Sequence, residues 1–158
     1  MSDRPLLFLD IDGTVIPFGR SAPSAPSANP YLARVDPHIG RRLATLRCEL
    51  VWATTWEDEA NREVAPRLGL EALPVVRWPE PTPEGAQEDR WFNLHWKTRT
   101  LVAWASGRPF VWIDDEITAD DSAWVVDNHP GRALLLPVKA SLGVTEGDLD
   151  VVEAWVSG

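Results

Sequence analysis

The stretch F-L-D-I-D-G-T-V at residues 8–15 is the most informative part of this chain. It closes a short apolar run, residues 5–11, of the kind that is buried on both faces of a parallel sheet. A turn, D-G-T at 12–14, follows the run. Asp10 and Asp12 therefore stand where a buried strand ends, and a buried aspartate without a partner costs free energy. The pattern predicts a functional site at the carboxyl end of this strand.

Further apolar runs alternate with helical patterns along the chain. Four more strands are predicted, at residues 50–53, 73–78, 109–113 and 133–138. Five helices are predicted, over residues 36–48, 55–69 and 95–105 and from N-caps at Thr118 and Thr145. Strands that alternate with helices in this way predict an α/β fold with a central parallel sheet of about five strands.

Length and composition indicate one domain. The chain has 158 residues, of which 44% are hydrophobic and 25% charged, so we expect a single domain over residues 1–158. Residues 19–30, rich in Pro, Ser and Ala, are predicted to form a flexible loop. Residues 79–93, rich in Pro and Glu, are predicted to form a second surface loop. Neither loop is expected to bury a core of its own.

Net charge and cysteine content limit the binding partners and the cellular location that we expect. Fifteen Lys and Arg residues against 24 Asp and Glu residues leave a net charge of −9, which disfavours non-specific binding to nucleic acid. Cys48 is the single cysteine, so no intrachain disulfide forms and a cytoplasmic location is expected. The first apolar run is far shorter than the ~20 residues that span a membrane, so neither an anchor nor a signal peptide is expected. The oligomeric state stays open.

Three of the predicted strands end in polar side chains: Asp10 and Asp12, Thr54 and Thr55, and Asp114 and Asp115. The carboxyl ends of parallel strands meet at one edge of a sheet, where ligands also bind. Four carboxylates at one edge repel each other unless a cation compensates them. Oxygen ligands with few protein donors suit Mg²⁺, which keeps several waters and bridges to phosphate. The sequence therefore predicts a magnesium site at this edge.

Four motifs resemble those of the haloacid dehalogenase (HAD) superfamily of aspartate-nucleophile phosphohydrolases. F-L-D-I-D-G-T-V resembles the first motif, and V-W-A-T-T-W at 51–56 the second. H-W-K-T at 95–98 is similar to the third motif, which contains a lysine, and V-W-I-D-D-E at 111–116 to the fourth. The resemblance runs from about residue 6 to 116. It implies a three-layer, Rossmann-like HAD fold. The short layout without a substantial cap domain is similar to a compact HAD group associated with RNA-repair proteins.

The resemblance also implies roles for individual residues. Asp10 would be the nucleophile that forms an aspartyl-phosphate, and Asp12 would act first as general acid and then as general base. Thr54 would bind the phosphoryl oxygens, and Lys97 would neutralise negative charge. The implied Mg²⁺ ligands are Asp10, the backbone carbonyl of Asp12, and Asp114, Asp115 or both.

Simpler structural explanations stay open for some of these residues. Thr54 or Thr55 could be a helix cap, Lys97 a solvated helix residue, and Trp56 either a wall of the site or a packing residue.

Three functions remain in view. The leading hypothesis is a Mg²⁺-dependent phosphohydrolase whose phosphorylated substrate is small or, because the site is expected to be open, macromolecular. The second is a nucleic-acid-end or nucleotide phosphatase linked to RNA repair, which the net charge of −9 disfavours. The third is a non-catalytic, HAD-like interaction domain.

Overall fold

A four-stranded parallel sheet forms the centre of the protein in a computed structural model that describes residues 4–18 and 32–158. The strands are β1 Leu6–Leu9, β2 Glu49–Trp52, β3 Phe110–Asp114 and β4 Ala133–Pro137. They lie in the order β2-β1-β3-β4, and Leu9 of β1 pairs with Trp52 on one side and Ile113 on the other. The carboxyl ends of β1, β2 and β3 therefore lie side by side.

Helices cover both faces of the sheet and complete the predicted three-layer α/β fold. They are α1 Pro37–Thr45, α2 Ala65–Leu68, α3 Pro83–Phe92, α4 Thr98–Ala105, α5 Ala119–Asn128 and α6 Glu146–Ser157. A 3₁₀ turn, Leu32–Arg34, precedes α1, and a π-helical segment, Ala60–Val64, runs into α2. Alternate residues of β1 face opposite sides, so Leu7 packs with α1, α2 and α6 while Phe8 packs with α4 and α5. All four β1 residues are fully buried, as expected for a strand covered on both faces.

The predicted helix caps at Thr118 and Thr145 are confirmed. Each threonine hydroxyl accepts a hydrogen bond from the backbone N–H of the aspartate three residues later, and that aspartate bonds back to the backbone of the threonine. The Asp36 side chain likewise caps α1 by accepting from His38 N at 2.9 Å. These caps fix where three helices begin.

The sheet has four strands where the sequence predicts about five. Residues 73–78 lie beside β2 but join it through a single parallel bridge between Trp52 and Val75. Trp52 N donates to Pro74 O, and Val76 N donates to Trp52 O, both at 2.9 Å. Pro74 has no N–H to donate toward Leu50, so the ladder cannot extend on that side of the bridge, and on the other side β2 ends at Trp52.

The prediction of a loop over residues 79–93 is wrong, because most of this segment is helix α3. The Thr82 hydroxyl accepts from Gly85 N at 3.0 Å, Pro83 occupies the first turn, and Asn93 ends the helix with left-handed backbone. Proline at that position is compatible with a helix because its missing N–H would be unpaired there anyway. No residue of α3 is buried, so the helix adds no core of its own. The other predicted loop, 19–30, lies outside the described residues.

Two helices begin later than predicted. Residues 55–57 form a turn in which Glu57 has a φ of +48°, and the Asp58 carboxylate accepts from Arg77 rather than capping a helix with Thr55. Helix α4 begins at Thr98, so Lys97 immediately precedes its first turn. None of the described helices has the length and apolar character that crossing a membrane requires.

Candidate active site

Three acidic side chains meet where β1 and β3 end. Asp10 directly follows β1, Asp114 is the last residue of β3, and Asp115 follows it. One carboxylate oxygen from each residue lies within 4.8 Å of the other two. The register brings Asp10 and Asp114 together, because Leu9 and Ile113 are paired and an aspartate follows each of them. Asp10 and Asp114 are buried, and Asp115 is half-buried.

Lys97 supplies one positive charge to this cluster. Its Nζ donates to Asp10 Oδ1 at 2.9 Å, to Asp114 Oδ2 at 2.8 Å and to the Ala53 carbonyl oxygen at 2.9 Å. These three bonds satisfy all three ammonium protons, and the residue is only 4% exposed. Lys97 is therefore not a solvated helix residue. Burial opposes its charge, but Asp10 and Asp114 outweigh that effect and raise the pKa of Lys97.

The single lysine does not compensate three carboxylates. Burial raises the pKa of Asp10 to about 7 despite the attraction of Lys97, and the nearby Asp114 contributes to the rise. Burial, together with the hydrogen bond and charge of Asp114, raises the pKa of Asp115 to about 6. Ionisation of these groups thus leaves a local negative charge that a divalent cation would offset. Oxygen donors on Asp10, Asp114 and Asp115 fit Mg²⁺ in kind and number.

The Asp12 carboxylate stands apart from the cluster. It is exposed, and its Oδ2 accepts a hydrogen bond from Trp56 Nε1 at 3.1 Å. Metal ligation by the backbone carbonyl of Asp12 stays a prediction.

Thr54 and Thr55 occupy different environments. Thr54 is fully buried, and its hydroxyl accepts from Trp56 N at 3.2 Å. Its carbonyl oxygen accepts from Trp78 Nε1 at 3.0 Å. Thr55 is exposed and lines the pocket above the carboxylates. Of the two threonines, Thr55 is the one placed to meet a ligand in that pocket, while contact between Thr54 and phosphate stays a prediction.

The pocket has a volume of about 200 Å³ and includes residues that the sequence analysis did not single out. These are Phe18, His95, Trp96 and Glu116. His95 Nδ1 accepts from Lys97 N at 3.2 Å, so Nε2 carries the ring proton toward Glu116 Oε2, 2.9 Å away. Three of them could have been found from the sequence, because His95 and Trp96 directly precede Lys97 and Glu116 directly follows the paired aspartates. Phe18 lies next to no such motif residue. A larger cavity of about 790 Å³, lined in part by Leu32 and Leu142, contains none of the clustered carboxylates.

A parallel sheet with Asp10 after its central strand, Asp114 and Asp115 at the end of the neighbouring strand, and a buried lysine between them defines a compact domain of the HAD type. The family model described as "HAD domain in Swiss Army Knife RNA repair proteins" matches residues 6–149, and the chain belongs to this family. No curated protein and no solved structure matches the chain.

Proposed function

We propose that this domain is a Mg²⁺-dependent phosphohydrolase that cleaves a phosphomonoester through an aspartyl-phosphate on Asp10. The observation that carries the proposal is the contact of buried Asp10 with Lys97 and its convergence with Asp114 and Asp115. When bound by these three carboxylates, Mg²⁺ would withdraw charge from the phosphoryl oxygens and orient the substrate. A phosphorylated partner and a cytoplasmic location belong to the same proposal.

In the first step a carboxylate oxygen of Asp10 attacks phosphorus, and the bond from phosphorus to the leaving oxygen breaks. Asp12 gives its proton to that oxygen, and general acid catalysis of this kind contributes on the order of 10² to 10⁴ in rate. Lys97 balances negative charge on Asp10 and on the transferring group. In the second step a water attacks phosphorus and gives a proton to Asp12. The bond to Asp10 then breaks, which releases inorganic phosphate and restores the carboxylate.

Phosphate release from an aryl phosphate, with Mg²⁺ and with excess chelator, tests this proposal. We expect turnover only with the metal, because in the described part of the chain Lys97 is the only cation paired with this carboxylate cluster. Undiminished activity in chelator would contradict the metal requirement. Absence of turnover on every phosphomonoester tried would favour the non-catalytic interaction domain.

A second candidate is a phosphatase for nucleic-acid ends or nucleotides. The family description names RNA repair, and two exposed rings line the pocket, Trp96 at 45% and Phe18 at 49% exposure. Exposed aromatic rings stack on unpaired bases. Against this candidate, Lys97 is the one lysine or arginine among the described residues that line the pocket, and the chain carries a net charge of −9. A higher kcat/KM for 5′- or 3′-phosphorylated oligoribonucleotides than for small phosphomonoesters would favour it.

Mg²⁺ should stabilise the folded protein. A ligand at 100 times its Kd stabilises by about 2.7 kcal/mol, and each kcal/mol shifts the Tm of a domain this size by about 2–4 °C. We therefore expect saturating Mg²⁺ to raise the Tm by roughly 5–10 °C in scanning calorimetry. Asp115→Asn should remove most of this increment. Asp127→Asn, which removes an exposed charge on α5, is the matched control and should retain it.

Without metal, the Asp115→Asn protein should melt above wild type at pH 8. The pKa of Asp115 is raised to about 6, so stability is lost as the pH rises from the ordinary value of 3.8 to about 6, and the loss is complete above that range. The advantage of the variant should therefore vanish near pH 4.

A metal increment in Tm that survives in both Asp114→Asn and Asp115→Asn would show that neither residue is a ligand.

Gly13→Ala should weaken Mg²⁺ binding. Gly13 has a φ of +75°, and a Cβ there would lie 2.4 Å from Asp115 Oδ2, so the carboxylate must move. Gly69 has a similar φ of +72°, and a Cβ added there would meet nothing within 4 Å, which makes Gly69→Ala the control for backbone strain alone. Each variant should lose about 1–2 kcal/mol from left-handed backbone. Only Gly13→Ala should also lose part of the Mg²⁺ increment in Tm, and equal increments in the two variants would contradict this.

A further inference from the structure

The general acid of the proposed mechanism has a fixed partner outside the acidic cluster. Trp56 Nε1 donates to Asp12 Oδ2 at 3.1 Å. Asp12 is exposed on the turn after β1, where an unrestrained carboxylate would sample several rotamers. The hydrogen bond from the indole selects one orientation of that carboxylate.

Trp56 is itself held from two sides. Its backbone N–H donates to the hydroxyl of fully buried Thr54 at 3.2 Å, directly after β2. Its ring packs against the core cluster that includes Trp52 and Ala60. The backbone hydrogen bond to Thr54 and the packing of the ring thus hold the indole with its N–H toward Asp12.

The chemistry of the indole distinguishes the two oxygens of Asp12. An indole N–H only donates, so the oxygen that it contacts must remain an acceptor in both protonation states. We infer that Trp56 is a positioning residue that keeps Asp12 Oδ2 as the acceptor and leaves Oδ1 to carry the proton. Oδ1 then gives that proton to the leaving oxygen and later takes one from the attacking water. Thr54 contributes by holding Trp56. This inference rests on the proposed function, because it assigns a task within that mechanism.

Trp56→Phe tests the inference by removing the N–H while keeping an aromatic ring. We would measure kcat/KM, which reports the first chemical step, for an alkyl phosphate and for an aryl phosphate with a good leaving group. The alkyl phosphate needs its leaving oxygen protonated, so its kcat/KM should fall about tenfold, the effect of a hydrogen bond to a charged group. The aryl phosphate should change less than about twofold. Equal losses on both substrates, or no loss on either, would overturn the inference.

A double-mutant cycle separates this inference from the proposed function. Asp12→Asn alone tests the general acid, and an equal loss on both substrates would contradict that role. Adding Trp56→Phe to Asp12→Asn should cause no further loss on the alkyl phosphate, because the residue through which Trp56 acts is already gone. A further loss of about tenfold in the double variant would show that Trp56 acts by another route and would overturn the inference.

The hydrogen bond can also be observed without turnover. The indole N–H signal of Trp56 in a ¹H–¹⁵N spectrum, assigned by its disappearance in Trp56→Phe, should move in Asp12→Ala. The signal of Trp104, which packs against Phe8, should stay in place. If the Trp56 signal does not move, the contact is absent in solution and the inference fails, whatever the activity of the protein.

Discussion

Replacement of Asp10 by asparagine is expected to abolish turnover, with a loss on the order of 10⁶ in kcat, the scale seen when covalent enzymes lose their nucleophile. The amide has the shape of the carboxylate but cannot form the phosphorylated intermediate. Its oxygen can still accept from Lys97, and Lys97 keeps its bond to Asp114. The fold should therefore persist, and phosphate release together with a thermal melt measures both effects.

The same variant should be more stable than wild type at high pH when no metal is present. Because the pKa of Asp10 is raised to about 7, the native state loses stability as the pH rises from the ordinary value of 3.8 to about 7, and the loss is complete above that range. The amide that replaces it has no charge to ionise, so the Tm difference should appear at pH 8 and disappear near pH 4. Asp127→Asn removes an exposed charge by the same substitution and should show no such difference.

Comparable turnover in Asp10→Asn and wild type would refute the nucleophile assignment.

Replacement of Lys97 by methionine is expected to destabilise the metal-free protein by about 3–5 kcal/mol, the usual effect of removing one partner of a buried ion pair. Methionine has a similar length but leaves two buried carboxylates without their shared cation. At about 2–4 °C per kcal/mol, the Tm should fall by roughly 6–20 °C. Turnover should also fall steeply, because no ammonium remains to balance the transferring phosphoryl group.

Lys139, the other lysine of the chain, provides the control. It is exposed, so Lys139→Met should shift the Tm far less. Mg²⁺ should raise the Tm of Lys97→Met by more than it raises that of wild type, since the metal then offsets a larger uncompensated charge. A Tm for Lys97→Met equal to that of Lys139→Met would show that the buried ion pair does not contribute to stability.

Local patterns made much of the fold predictable. The apolar run before Asp10 indicated a strand buried on both faces, and the threonine–aspartate pairs at Thr118 and Thr145 indicated helix starts, because a cap involves only residues within one turn. The acidic residues of the site could be proposed because they lie at the ends of apolar runs, and parallel strands bring such positions to one edge. The family resemblance added the roles, and the match over residues 6–149 supports that family.

Other features escaped local reasoning for identifiable reasons. The sequence did not predict helix α3, because its proline-rich composition is typical of a loop. Proline is nevertheless compatible with a helix when it lies in the first turn, as Pro83 does. The predicted strand at 73–78 has the right apolar character, but Pro74 cannot donate the backbone hydrogen bond that would extend its pairing beyond the single bridge toward Leu50. In both cases the position of one proline influenced the local structure more than the average composition of the segment did.

The amino-acid sequence alone indicates the four strands, five of the six described helices, the polar residues at the strand ends and the excess of acidic groups among them, because these depend on neighbours in the chain. The three-dimensional packing, by contrast, buries Lys97 between Asp10 and Asp114 and brings Trp56, rather than the acidic cluster, to the side chain of Asp12. These contacts join residues 17 to 87 positions apart. Their existence depends on the register of the sheet and on the packing of the helices that flank it.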